Sequence, residues 1–171
     1  MPRESRDNKV SVALMCMAID IQHFELMPLC DDELVLQFLR FEDHPVHKVP
    51  TCYFRMIHAE TGEELGGINL RCSSIPHIER YAGHIGFSVH EQHRGHRYAA
   101  RSVLLLLLVA KQLKFESIWI TCDPENIASR LSLELAGAKL IEVVDVPADC
   151  VINRSGHPRK RRYRIDLGSA S

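Results

Sequence analysis

At 171 residues, 46% of them hydrophobic and 25% charged, the chain has the size and balance of one globular domain with a proper core. A formal net charge of −1 argues against a general nucleic-acid binder, which carries a marked basic excess, and leaves any attraction for anions to local clusters. The longest apolar run, Val103 to Ala110, is far short of the roughly 20 residues of a membrane span, and the six cysteines form no CxxC pair. A reduced, cytoplasmic protein without membrane attachment is expected.

In chain order, Val10 to Ile21 is an apolar stretch that suits a strand or a buried helix, and Phe24 to Leu29 a short strand stopped at Pro28. Asp31 is a candidate N-cap for a helix in which Leu34, Val35, Phe38, Leu39 and Phe41 form an apolar stripe ending at His44-Pro45. Thr51 to His58 and Glu64 to Arg71 bracket the turn Glu60-Thr61-Gly62-Glu63 as an antiparallel hairpin, with Gly66 and Gly67 expected to kink its second strand.

A loop with Pro76, His77, Glu79 and Tyr81 leads to a strand from His84 to Val89 and then to a helix from about Tyr98 to Lys114, ~25 Å long at ~1.5 Å per residue. The middle of this helix is apolar all round, which predicts burial on both sides, against the sheet and against further chain or a second subunit in a homodimer. Ser117 to Cys122 reads as an inner strand, and Asp123-Pro124 opens a helix from Glu125 to about Ala136 that Gly137 ends. Two more strands, Lys139 to Val146 and Arg162 to Leu167, flank a connection rich in Pro, Asp, Gly and basic residues.

Function is concentrated between His84 and Gly137. The strand ending at Val89 passes through Arg94-Gly95-His96-Arg97 straight into a helix at Tyr98, so several unpaired backbone N–H groups converge, which is how a chain builds a phosphate site.

With these residues in view, the chain resembles the GNAT superfamily of acyl-CoA-dependent N-acetyltransferases over roughly Phe24 to Leu167. The family turn Q/R-x-x-G-x-G/A follows its fourth strand, and its fifth strand is followed by an Asn and a helix; here Val89, Arg94, Gly95, Ala99, Trp119 and Asn126 fall in that order. A branch of uncharacterised predicted acetyltransferases is closer still. Its motifs I-x-L-R, G-H-I-G-Y-S-V, T-C-D-x-x-N-x-A-S and R-Y-x-I are matched by Ile68 to Arg71, Gly83 to Val89, Thr121 to Ser129, and Arg162 to Ile165.

The resemblance implies an α/β fold, with a central, mostly antiparallel sheet splayed at its fourth and fifth strands and flanked by helices. It also implies acetyl-CoA as co-substrate, held by Phe87, Val89, Arg94, Gly95, His96, Arg97, Tyr98, Ala99, Asn126 and Ser129. Two departures stand out. Arg97 occupies a position where the family has Gly or Ala, in either register of the turn, so its side chain either crowds the pyrophosphate or turns outward to contact a phosphate. Leu133 stands where many members have the Tyr that protonates the leaving thiolate, a role left to water or Ser132.

The chemistry implied is direct attack of a neutral amine, from a small molecule or peptide, on the thioester, with the strand-end amide near Val89 polarising the carbonyl. His84 is the candidate base and equally a strand-end histidine hydrogen-bonded for structure; Glu79 and Glu91 are reserves. Asn69 and Arg71 share one face of their strand, from which they reach an acceptor carboxylate or carbonyl unless they are simply exposed. Asn126 holds the pantetheine or caps its helix.

His90, His93 and His96 have metal-like spacing, but they straddle a strand end, a turn and a helix start, so no metal is expected. Arg159 to Arg162 is a candidate anion site or a solvated sheet edge. No serine or cysteine nucleophile motif occurs. The alternative to a transferase is a non-catalytic acyl-CoA-binding or regulatory domain of the same fold.

Overall fold

The computed structural model describes residues 29–168, which leaves the expected element Val10 to Ile21, and Phe24 to Leu29 apart from its last residue, outside them. A short β1 (Cys30–Asp31) turns at once into β2 (Leu34–Asp43), which pairs antiparallel with β3 (Pro50–His58). The helix expected after Asp31 is therefore a strand. A β-bulge explains the misleading pattern: the register slips between Phe38 and Arg40, so Leu39 is extra and 41% exposed. The inward residues become Leu34, Leu36, Phe38 and Phe41, and a two-residue period with one three-residue step imitates a helical stripe.

The hairpin of β3 with β4 (Glu64–Arg71) forms as expected, with a register irregularity at Leu65, beside the expected glycine kink. After a single π-helical turn (Ile78–Ala82), β5 (Ile85–Val89) completes a five-stranded antiparallel sheet of order β1-β2-β3-β4-β5. A 3₁₀ turn (Glu91–His93) and a short loop lead into α1 (Tyr98–Gln112), which packs on that sheet through Val103, Leu106, Val109 and Ala110. Leu104 and Leu108, 48% and 44% exposed, lie on the opposite stripe, so α1 is not buried on both sides among the described residues.

β6 (Ser117–Cys122), α2 (Ile127–Leu135), β7 (Lys139–Asp145), the single turn α3 (Val151–Arg154) and β8 (Arg159–Asp166) follow. They form a second, three-stranded antiparallel sheet of order β6-β8-β7. β8 starts earlier than expected and runs in the middle of this sheet, so Arg159 to Arg162 is not an edge. Arg159, Lys160 and Arg162 pair instead with Asp145, Asp123 and Glu142. Arg162 also stacks 4.0 Å from the Trp119 ring centre and donates to the Glu79 carbonyl. Among the described residues no helix is long and apolar enough to cross a membrane, and Cys30, Cys52, Cys122 and Cys150 are free thiols.

Candidate active site

A reciprocal pair of hydrogen bonds joins the two sheets. The His84 N–H donates to the Trp119 carbonyl at 2.6 Å, and the Trp119 N–H donates to Nδ1 of the His84 ring at 2.9 Å. Past this joint β5 goes its own way. The His90 N–H donates to the Leu65 carbonyl at 2.9 Å, which fixes the alternation along the β4–β5 ladder. Gly86 and Ser88 spend their backbone groups on β4, whereas those of Phe87 and Val89 turn toward β6, where among the described residues no strand pairs with them.

These open backbone groups face a cleft of about 530 Å³ between β5, the start of α1 and the inner side of α2. Of the residues expected to hold the cofactor, Phe87, Val89, Arg94, Gly95, Arg97, Tyr98, Ala99, Asn126 and Ser129 line it; His96 lies outside, stacked on Tyr98 at 5.3 Å. The first helical hydrogen bond of α1 runs from the Arg101 N–H to the Arg97 carbonyl, 3.0 Å. The amides of Tyr98, Ala99 and Ala100 precede it and are left as donors at the positive end of the helix.

Arg97 is the residue before the first turn and has φ 60° and ψ 22°, the left-handed region that a glycine occupies without cost. A glycine here would relieve the backbone as well as free space. The Arg97 side chain is exposed and makes no capping bond. Arg94 folds back, its Nε donating to the Val89 carbonyl at 3.3 Å. Asn126 caps α2, its Oδ1 accepting from the Ser129 N–H at 3.0 Å, while bordering the cleft.

The candidate catalytic residues separate. His84 is fully buried and lines none of the cavities of this site; burial, and then the charge of Arg71, push its pKa down to about 4. The Glu79 main chain holds Arg162, and its residue lies outside the same cavities. Ser132 faces the cleft, with its hydroxyl donating to the Ala128 carbonyl at 2.9 Å, whereas Leu133 is fully buried in the core. Of the three spaced histidines, His90 and His93 reach out to Glu64 and Glu63. Among the described residues no group of three or more His, Cys, Asp or Glu is placed to hold a metal ion.

Behind Phe87 a second cavity, about 320 Å³, opens between the β2–β3 loop, β5, β6 and the α3 region. Phe87 and Ser129 border both spaces, so cleft and cavity lie side by side there. The cavity wall carries His44, His47 and Arg71, two of which the sequence reading missed. His47 Nδ1 lies 2.8 Å from His77 Nε2, and Cys150 Sγ 3.8 Å from His77 Nδ1. Burial first, and then the Arg71 charge, lower the pKa values of all three histidines, His47 to about 3. The signal in the sequence is the H-x-x-H spacing of His44 and His47, which the helix-stop character of His44-Pro45 hides.

Arg71 and Asn69 lie over β5 at Gly86. A Cβ on Gly86 would meet Arg71 Nη2 at 2.8 Å and the Asn69 amide at 3.3 Å, so the glycine gives these side chains their space. Arg71 is buried, and its Nη1 donates to the carbonyls of Ala82 (3.0 Å) and Gly83 (2.8 Å).

A strand that leaves its neighbour, followed by a helix whose first amides face the gap, defines a class of α/β domain built around a splayed pair of strands. Residues 14–139 match the model of the acetyltransferase (GNAT) domain family, and the chain belongs to that family. Similar solved structures include a GNAT-family acetyltransferase from Bacillus anthracis, 20% identical with a TM-score of 0.53 over 67% of this chain and 65% of that one. A putative ribosomal-protein-serine acetyltransferase from Vibrio cholerae is 17% identical with a TM-score of 0.53 over 68% and 64%. A microcin C7 self-immunity acetyltransferase in complex with acetyl-CoA and AMP is 13% identical with a TM-score of 0.52 over 68% and 61%. The chain thus spans a little under two thirds of the length of these three, and at such identities they share its fold. No curated protein sequence matches.

Proposed function

We propose that this chain is a cytoplasmic N-acetyltransferase that takes an acetyl group from acetyl-CoA and passes it directly to the amine of a small polar molecule or peptide. The observation that carries this reading is the meeting of cleft and cavity at Phe87 and Ser129. A thioester laid along β5 from the α1 side ends where an amine entering from the other side arrives.

In this reading the amides of Tyr98, Ala99 and Ala100 bind the pyrophosphate, and the exposed guanidinium of Arg97 adds a charge-assisted contact to a phosphate. The cleft-facing N–H groups of Phe87 and Val89 hold the pantetheine arm and donate to the thioester oxygen as negative charge grows on it. The carbonyl of Val89 is taken by the Arg94 Nε, which leaves the Val89 N–H as that residue's free main-chain group. The acceptor must be neutral to attack, and the cavity it enters is lined by His44 and His47, imidazoles that burial keeps uncharged.

His84 serves as the joint between the sheets, and its buried ring is poorly placed to take a substrate proton. The leaving thiolate needs little help: a thiol of pKa ~8.5 costs roughly 2 kcal/mol to release at neutral pH, and Ser129 and Ser132 line its path.

The test is calorimetric titration with acetyl-CoA and with CoA lacking the 3′-phosphate, followed by a thiol-release screen over an amine library. Micromolar acetyl-CoA binding, about −8 kcal/mol, together with amine-dependent thiol release is the expected result. Binding with no acceptor ever acetylated would leave an acyl-CoA-binding domain, and no binding at millimolar acetyl-CoA would remove both readings.

A further inference from the structure

We infer that the acceptor is an amino-acid-like zwitterion, with a carboxylate one or two carbons from its amine, recognised by Arg71, Asn69 and Tyr53 over Gly86. The inference rests on the transferase reading above and narrows its acceptor.

Arg71 is only 8% exposed, and among the described residues no acid pairs with it. Its Nη1 is taken up by two carbonyls, but its Nε has no partner. The neighbouring cations are matched: Asp123 takes both Lys160, at 2.7 Å, and His157, and Glu142 takes Arg162. A buried guanidinium with a free edge in a cavity wall has given up its hydration without an ionic partner, and an anion entering from outside supplies one. The fork geometry of the group suits a planar carboxylate.

Beside it the Asn69 Oδ1 is buried and accepts from no donor, and the Tyr53 hydroxyl, with Thr51 beside it, makes no hydrogen bond of ordinary geometry. Tyr53 and Asn69 are direct cross-strand partners, as are Asn69 and Gly86. An amide oxygen can only accept, so it calls for the N–H of an amine. The point where a Gly86 Cβ would sit is 2.8 Å from Arg71 Nη2 and 3.5 Å from Asn69 Oδ1, which places anion and amine recognition within one short molecule.

Gly86 is also one residue, ~3.8 Å between Cα atoms, from Phe87, where the thioester ends. An amine held beside the carboxylate is in reach of it, whereas a long spacer overshoots. A peptide N-terminus presents a neutral carbonyl to Arg71 and leaves its charge unmatched.

The test reads binding rather than turnover. N-acetylglycine and N-acetylglycinamide, which differ in the carboxylate alone, are titrated into the CoA-saturated protein and followed by ligand-detected NMR. The acid is expected to bind at least tenfold more tightly, with the difference abolished by Arg71→Lys and, should that variant fail to fold, by Gly86→Ala. Equal binding of the two, or binding of neither at millimolar concentration, overturns the inference. Acetyl-CoA affinity measured on the same sample reports separately on the transferase reading, so that either can fail while the other is judged.

Discussion

Trp119 uses its main-chain N–H on the ring of His84 and its carbonyl on the His84 N–H, at 2.9 and 2.6 Å, so one histidine closes the gap between two sheets with both a side-chain and a main-chain bond. The ring sits edge-on to Phe115 at 5.2 Å, in a fully buried position. Replacing His84 by Ala removes an acceptor for a half-buried amide and leaves a void. We expect a loss of about 2–4 kcal/mol in denaturant unfolding, together with weaker acetyl-CoA binding, because the splay begins at this joint. A His84→Ala protein of unchanged stability that had lost only turnover would return the residue to catalysis.

Stability should fall with acid in a defined window. Folded His84 has a pKa of about 4 against 6.5 for an ordinary histidine, because burial penalises its charged form. Between these values the unfolded chain binds more protons, so stability is full above pH 6.5, declines as pH falls, and levels off below 4, with roughly 3 kcal/mol lost overall. His47, lowered to about 3, extends the decline. Urea midpoints from pH 8 to pH 4 measure it, and in the His84→Ala protein the slope between pH 6.5 and 4 should be visibly shallower.

Arg97→Gly separates backbone from side chain at the cofactor turn. The left-handed conformation at φ 60° becomes free of strain, which should raise stability by up to ~1 kcal/mol. If the guanidinium contacts a phosphate, acetyl-CoA affinity falls about tenfold at low salt, and the difference shrinks at high salt. Tighter binding in the variant would mean instead that the side chain crowds the pyrophosphate.

Gly86→Ala should strike the acceptor side alone. The new methyl meets Arg71 Nη2 at 2.8 Å and the Asn69 amide at 3.3 Å and must displace them. Acetyl-CoA affinity should stay within twofold while the acceptor KM rises at least tenfold. Equal losses for both substrates would place Arg71 and Asn69 in support of the whole cleft.

The cleft between β5, α1 and α2 was legible because its signals are local. Strand, turn and helix from His84 to Gln112 follow one another in sequence, and the residues that line the cleft come from that stretch and from the next helix. The region around Arg71 was legible only in part. Asn69 and Arg71 could be placed on one face by alternation, but Tyr53, His44 and His47 join them through strand pairing and a loop, which leave no periodic trace.

By itself, the sequence determined the β5–α1–β6–α2 unit, the β3–β4 hairpin and the turn that leads from β5 into α1, since apolar periodicity, turn residues and helix caps act within a few residues of one another. Only the tertiary structure decided that Leu34 to Asp43 is a strand, because a bulge at Leu39 gives it helix-like spacing and the β3 ladder supplies the competing hydrogen bonds. It also decided that His84 is a joint, that Arg159, Lys160 and Arg162 are matched by acids, and that among the described residues Arg71 is not. Each of these depends on which charges and amides long-range packing brings within about 3 Å of one another, and burial, which sets the cost of leaving a partner missing, is a property of the folded chain alone.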